Sequence, residues 1–207
     1  MWRGLKTSFT VAVCLISALT FSGCAGRKYL MVDYQVPAKT LRLEGQRVRF
    51  EVQNRRESQE VLSPEAAYEF PEFSGIYSLA WVISGQERVL AGEHHLDQLF
   101  RITFIKRLAS MGISIVDDHD ATVPLLTIQL KQFQIDLQNR EWQARMSYDA
   151  ILSAEGHPTS RQNVRGSAER VRIIGRKGAD TVLSEIFSDV VNRLDLIKLF
   201  EGAELVR

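Results

Sequence analysis

The sequence predicts an α+β domain: a mainly antiparallel sheet with two amphipathic helices packed on one face. Three observations point there. Trp142, Ala144, Met146, Tyr148, Ala150, Leu152 and Ala154 form an unbroken period-two series, the pattern of a strand with one buried face. Two segments, about Glu93 to Met111 and Thr181 to Phe200, repeat apolar residues at three- and four-residue steps, as an amphipathic helix does. The order of elements is strand, hairpin, helix, strand, three-stranded meander, helix, which fits helices gathered on one side of a sheet.

Before the domain comes a leader. Arg3 and Lys6 precede an apolar run from Phe9 to Phe21, and Ser22-Gly23 stand before Cys24. This is the charged, apolar, small-residue layout of an export signal. The run is shorter than the ~20 apolar residues that span a bilayer. Residues 1–23 are therefore assigned to a signal peptide, 24–40 to the N-terminus and tether of the mature chain, and 41–207 to a single exported domain.

Within the tether, Tyr29-Leu30-Met31-Val32 is apolar enough to dock as an edge strand. Arg47 to Val52 alternates, with Val48, Phe50 and Val52 on one face, and Asn54-Arg55-Arg56 ends that strand. From Glu57 to Gly75, Pro64, Pro71 and several acidic residues suggest a long surface excursion. Ile76 to Ile83 and Arg88 to Ala91 read as a hairpin closed by Ser84-Gly85-Gln86-Glu87. The first helix follows, opened by His94-His95 and stopped at Gly112, and Ile113 to Val116 resumes as a strand. Leu126, Ile128 and Leu130 alternate out of phase with Phe133, Ile135 and Leu137, which places a bulge near Lys131-Gln132. Glu155-Gly156-His157-Pro158 supplies turn chemistry, and a third meander strand spans about Asn163 to Ile173. Asp180 is a plausible N-cap for the final helix, and Gly202 ends it.

Few residues point to chemistry. Asp117-Asp118-His119-Asp120 could gather a cation through oxygen ligands, but the glycine and distal glutamate of a calcium loop are missing, and a solvated turn is the better reading. His94 and His95 diverge by about 100 degrees if helical and so cannot grip one ion together. Arg161, Arg165, Arg170, Arg172, Arg176 and Lys177 crowd the third meander strand and the turn after it. Arg165, Arg170 and Arg172 are candidates for docking lipid phosphates or an acidic partner; the competing reading is a solvated sheet face. Trp81 and Trp142 read as core or interface anchors. No G-x-S-x-G, H-E-x-x-H or phosphate-cradling glycine motif occurs, so an enzyme is not expected, nor any cofactor or metal site.

Composition narrows the class further. The chain is 45% hydrophobic and 25% charged, as a folded globular protein is. Of two cysteines, Cys14 lies in the leader and Cys24 at its end, so the mature body has no disulfide, redox pair or thiolate metal ligand. Losing Arg3 and Lys6 from 26 basic residues leaves the mature chain one positive charge short of its 25 acidic ones. Such balance argues against nucleic-acid binding.

Phe21-Ser22-Gly23-Cys24 resembles a bacterial lipobox, with Phe21 where leucine is usual. The resemblance implies that Cys24 becomes the acylated first residue. Ala25 in place of aspartate implies delivery to the outer membrane. Together with the V-x-F-x-V strand into Asn54-Arg55-Arg56, the hairpin-helix-Gly-strand unit ending at Val116, the meander and the last helix, the chain resembles the YajG-like family of small Gram-negative outer-membrane lipoproteins. A lipoprotein auxiliary subunit of lipid-transporting ABC systems looks similar in pattern. Neither resemblance carries over a catalytic residue. The expected function is a non-catalytic accessory or scaffold in envelope assembly or transport, held to the membrane by its lipid and binding an envelope protein. The alternative is a lipid-binding transporter subunit, which requires an apolar cavity between sheet and helices.

Overall fold

The computed structural model describes residues 28–83, 87–116, 122–172 and 177–206. In chain order the elements are β1 (Tyr29–Gln35), β2 (Arg47–Asn54), α1 (Pro64–Glu69), β3 (Ile76–Ile83), β4 (Glu87–His95) and α2 (Leu96–Ser110). They continue with β5 (Ser114–Ile115), β6 (Leu125–Gln138), β7 (Glu141–Ser153), β8 (Ser160–Val171), α3 (Lys177–Asn192) and α4 (Leu196–Gly202). The fold is α+β, but its strands form two mixed sheets rather than one mainly antiparallel sheet. One has the order β1-β3-β4, the other β5-β2-β6-β7-β8. β1 runs parallel to β3, and β2 runs parallel to both β5 and β6, while the hairpins β3–β4, β6–β7 and β7–β8 are antiparallel. Alternation tells which face of a strand is apolar, not which distant strand it joins.

The long β6–β7 hairpin is the centre of the larger sheet. Asn139 and Arg140, at φ 49° and 65°, make the two-residue turn whose twist matches the flanking strands. The bulge expected near Lys131-Gln132 is present: Leu130 pairs with Tyr148 and Gln132 with Ser147, leaving Lys131 over. Val48, Leu126, Ile128, Phe133, Ile135, Trp142, Met146 and Tyr148 are buried on the helix side of this sheet.

α2 packs on β2, β5, β3 and β4, and α3 on β7, β8 and β1, so both helices bridge the two sheets. Phe100 links the layers, meeting Phe133 at 5.9 Å and Phe187 at 5.1 Å between ring centroids in edge-on contacts. Trp142 is fully buried and Trp81 partly so, with the Lys106 ammonium 5.9 Å from the Trp81 ring. Gly166 on β8 lets α3 come close: a Cβ there would lie 2.7 Å from Val190 Cγ2.

Several local expectations are corrected. His94 and His95 are the last residues of β4 rather than the first turn of the helix; His95 stands at the N-cap, and α2 begins at Leu96. The last helix is two: α3 ends at Asn192, and Asp195 caps α4 by accepting from the Lys198 amide at 3.0 Å. Asp180 is not the N-cap but a residue of α3's first turn, and its carboxylate accepts from the Met31 amide at 2.8 Å. The 57–75 excursion is partly structured. Val61 and Ser63 bond the Ile135 backbone, and Ser63 caps α1 by accepting from the Ala66 amide at 3.2 Å. The tail past Gly202 folds back, with Ala203 buried and Leu205 and Val206 packed on the core.

β1 is an edge strand of the smaller sheet, and its free edge is covered. Met31, Asp33 and Gln35 donate their amides to Asp180 Oδ1, Ser184 Oγ and Ser188 Oγ at 2.8, 2.9 and 2.9 Å. Asn192 Nδ2 then donates to the Gln35 carbonyl at 2.9 Å. Four residues of helix rise ~6.0 Å and two residues of strand ~6.6 Å, so the two elements stay in step. A polar row on α3 thus does what a neighbouring strand would do for an exposed edge.

Candidate functional surfaces

Cys24 and the Asp117–Asp120 cluster lie outside the described residues, as do Arg176 and the Ser84–Gln86 turn. Among the described residues no helix is long and apolar enough to cross a membrane. Nor does any group of three His, Cys, Asp or Glu side chains stand ready to hold a metal among them.

The arginines of β8 do not form one patch. Arg170 pairs across with Trp142 and Arg165 with Ser147, so they leave opposite faces of the sheet. Arg170, on the helix side, reaches Glu185 of α3 at 2.9 Å. Arg172 follows two residues on and meets Glu69 of α1 at 2.8 Å. These two are occupied in ion pairs. Arg165 and Arg161 stand exposed on the other face. Val171, on the face opposite Arg170, is 64% exposed. The reason is the placement of α3, which covers the face with Gly166 and Val164 and leaves the odd-numbered side chains outside.

That uncovered face of the larger sheet is polar and internally paired. Thr127 Oγ1 donates to Glu51 Oε1 at 2.9 Å, and Gln129 Nε2 donates to Gln53 Oε1 at 3.2 Å. Asn163 Nδ2 donates to Asp149 Oδ1 at 2.9 Å, and Lys131 stands 3.9 Å from the same carboxylate. With Arg145 and Arg165 exposed among these groups, the face can offer hydrogen bonds and charge to a protein surface.

Arg56, of the Asn54-Arg55-Arg56 run, is buried at 9% exposure. Its Nε donates to Asn54 Oδ1 at 3.1 Å, its Nη1 to the Phe133 carbonyl at 3.4 Å and its Nη2 to the Gln59 carbonyl at 3.3 Å. Burial lowers its pKa, against the pull of the nearby Tyr77 and Asp97. Oxygen dipoles rather than a carboxylate hold this cation, and it ties the start of the 57–75 segment to β6. Sequence reading took Arg56 only for a strand terminator. Nothing in its spacing distinguishes it from Arg55, which bonds outward to Gln53.

Burial also raises the phenol pKa values of Tyr34, Tyr77 and Tyr148. Tyr34 donates to Asn192 Oδ1 at 2.6 Å and Tyr148 to the Val190 carbonyl at 3.0 Å. Surface clefts of about 400 Å³ between β1 and α3 and about 420 Å³ beside Arg56 are lined mostly by polar and charged side chains. His94 Nε2 lies 3.0 Å from the Ala91 carbonyl, within its own strand.

Two mixed sheets bridged by two helices, with one polar sheet face open, define the class of domain. No family model matches the chain, and no curated protein matches it. Its fold is similar to the crystal structure of protein XCC0632 from Xanthomonas campestris, of the family DUF330. The TM-score is 0.51 at 10% identity, over 84% of this chain and 97% of that one. At that identity the likeness concerns fold alone.

Proposed function

We propose that this chain is an outer-membrane lipoprotein, anchored through Cys24 and facing the periplasm, that works by protein contact as a non-catalytic accessory of an envelope assembly or transport system. The observation that carries the reading is the leader: Arg3, Lys6, the Phe9 to Phe21 run and Ser22-Gly23-Cys24, followed closely by the first strand at Tyr29. The open face of the larger sheet, with Arg145 and Arg165, is the contact surface that fits. Arg170 and Arg172 serve the domain itself through Glu185 and Glu69.

Photocrosslinking in cells tests this. Probes at Arg145 and Arg165 should join one discrete envelope protein, while a probe at Leu41, exposed before β2, should not. Equal, diffuse crosslinking from all three sites would remove the contact surface. For the lipid-carrying alternative, the space between helices and sheets is occupied by Phe100, Phe104, Phe133 and Phe187, all nearly or fully buried. Native mass spectrometry should therefore release no bound lipid from the body of the protein.

A further inference from the structure

We propose that one end of the domain, formed by α1, the β6–β7 turn and the start of β1, rests against the bilayer with Tyr68 in the headgroup layer. The inference rests on lipid attachment at Cys24 and adds which way the domain faces. Four peptide steps separate Cys24 from Lys28, a reach of at most ~14 Å when fully extended. The anchor therefore holds the beginning of β1 close to the membrane surface.

The structure says what surrounds that point. The Lys28 carbonyl accepts from both the amide and the hydroxyl of Ser74, at 3.2 and 3.1 Å. The turn before Ser74 follows α1, whose C-cap Phe70 packs on Trp142 with 5.8 Å between ring centroids. Arg172 ties the same region together, meeting Glu69 at 2.8 Å and donating its amide to the Arg140 carbonyl at 2.7 Å. Lys28, α1 and the Asn139-Arg140 turn thus share one end. Tyr68 projects there at 85% exposure, with Val171 at 64%.

A tyrosine so exposed has a ring to bury and a hydroxyl to keep wet, which suits the membrane interface. Glu65 and Glu72 flank Tyr68 in the sequence, so the contact is through the aromatic and the tether rather than through positive charge. The opposite end, at the Gly156 turn, lies about 40 Å away along the 13 residues of β7.

The test uses the full lipoprotein in vesicles of phosphatidylethanolamine and phosphatidylglycerol carrying a headgroup-attached nitroxide quencher. Single labels are placed at Ala67→Cys, beside an intact Tyr68, and at His157→Cys; both sites are exposed. In protein that floats with the vesicles, quenching at 67 should exceed that at 157 several-fold and change little with salt. Equal quenching, or stronger quenching at 157, overturns the orientation while leaving the anchor intact. Protein that carries no acyl chain and does not float overturns the anchor, and the orientation falls with it.

Discussion

Removing Ser188 from α3 tests whether a row of side chains really replaces a strand at the β1 edge. Ser188 is 5% exposed; its hydroxyl accepts from the Gln35 amide at 2.9 Å and donates to the Asp33 carbonyl at 3.2 Å. Ser188→Ala leaves a backbone donor and a backbone acceptor without their partners. An orphaned buried group costs about 1–3 kcal/mol, so the variant should lose about 2 kcal/mol or slightly more. Ser184→Ala removes one bond, to the Asp33 amide, and should cost about 1 kcal/mol. Both are read from urea unfolding midpoints, with Asn163→Ala on the open face as a control expected within about 0.5 kcal/mol of the parent. Hydrogen exchange supplies the residue-level readout. The amides of Met31, Asp33 and Gln35 should be protected, and Ser188→Ala should expose Gln35 selectively. A Ser188→Ala protein as stable as Asn163→Ala, with Gln35 still slow to exchange, would refute the clamp.

Two further outcomes follow from buried groups. Arg56→Met should free the start of the 57–75 segment, lowering stability by about 2 kcal/mol and speeding proteolytic cleavage near Gln59, because three acceptors lose their donor. Unchanged cleavage would show that the segment holds itself. The raised pKa values of Tyr34, Tyr77 and Tyr148 bear on alkaline stability. Above pH ~10 the unfolded chain releases phenol protons that the folded one keeps. Stability should be full below that pH and then fall by up to about 1.4 kcal/mol per pH unit for each phenol. Unfolding midpoints flat from pH 9 to 11 would contradict it.

Much of the fold was legible where the signal is local. The phase slip between Leu130 and Phe133 located the bulge, and the Trp142 to Leu152 alternation marked the buried face of β7. Long-range parallel pairing left no such trace: β1 and β3 are joined across an intervening strand and helix, and no turn chemistry announces their direction. Two signals were present and went unread. Ser63-Pro64-Glu65 is the start of a helix, with a cap, a proline at the first turn and an acid near the dipole's positive end. Asp180, Ser184, Ser188 and Asn192 recur every fourth residue beside the apolar stripe, which marks a helix face turned toward polar backbone. The split of the arginines was hidden for another reason. Strand parity separates Arg165 from Arg170, but only the position of α3 decides which of them meets an acidic partner.

The most direct test of the account is the intact mass of the mature protein taken from membranes, beside a Cys24→Ser variant. The account predicts a chain that begins at Cys24 and carries acyl groups, and a variant that loses both the added mass and the membrane. An unacylated mature chain, or a Cys24→Ser protein that stays on the membrane as before, would contradict it.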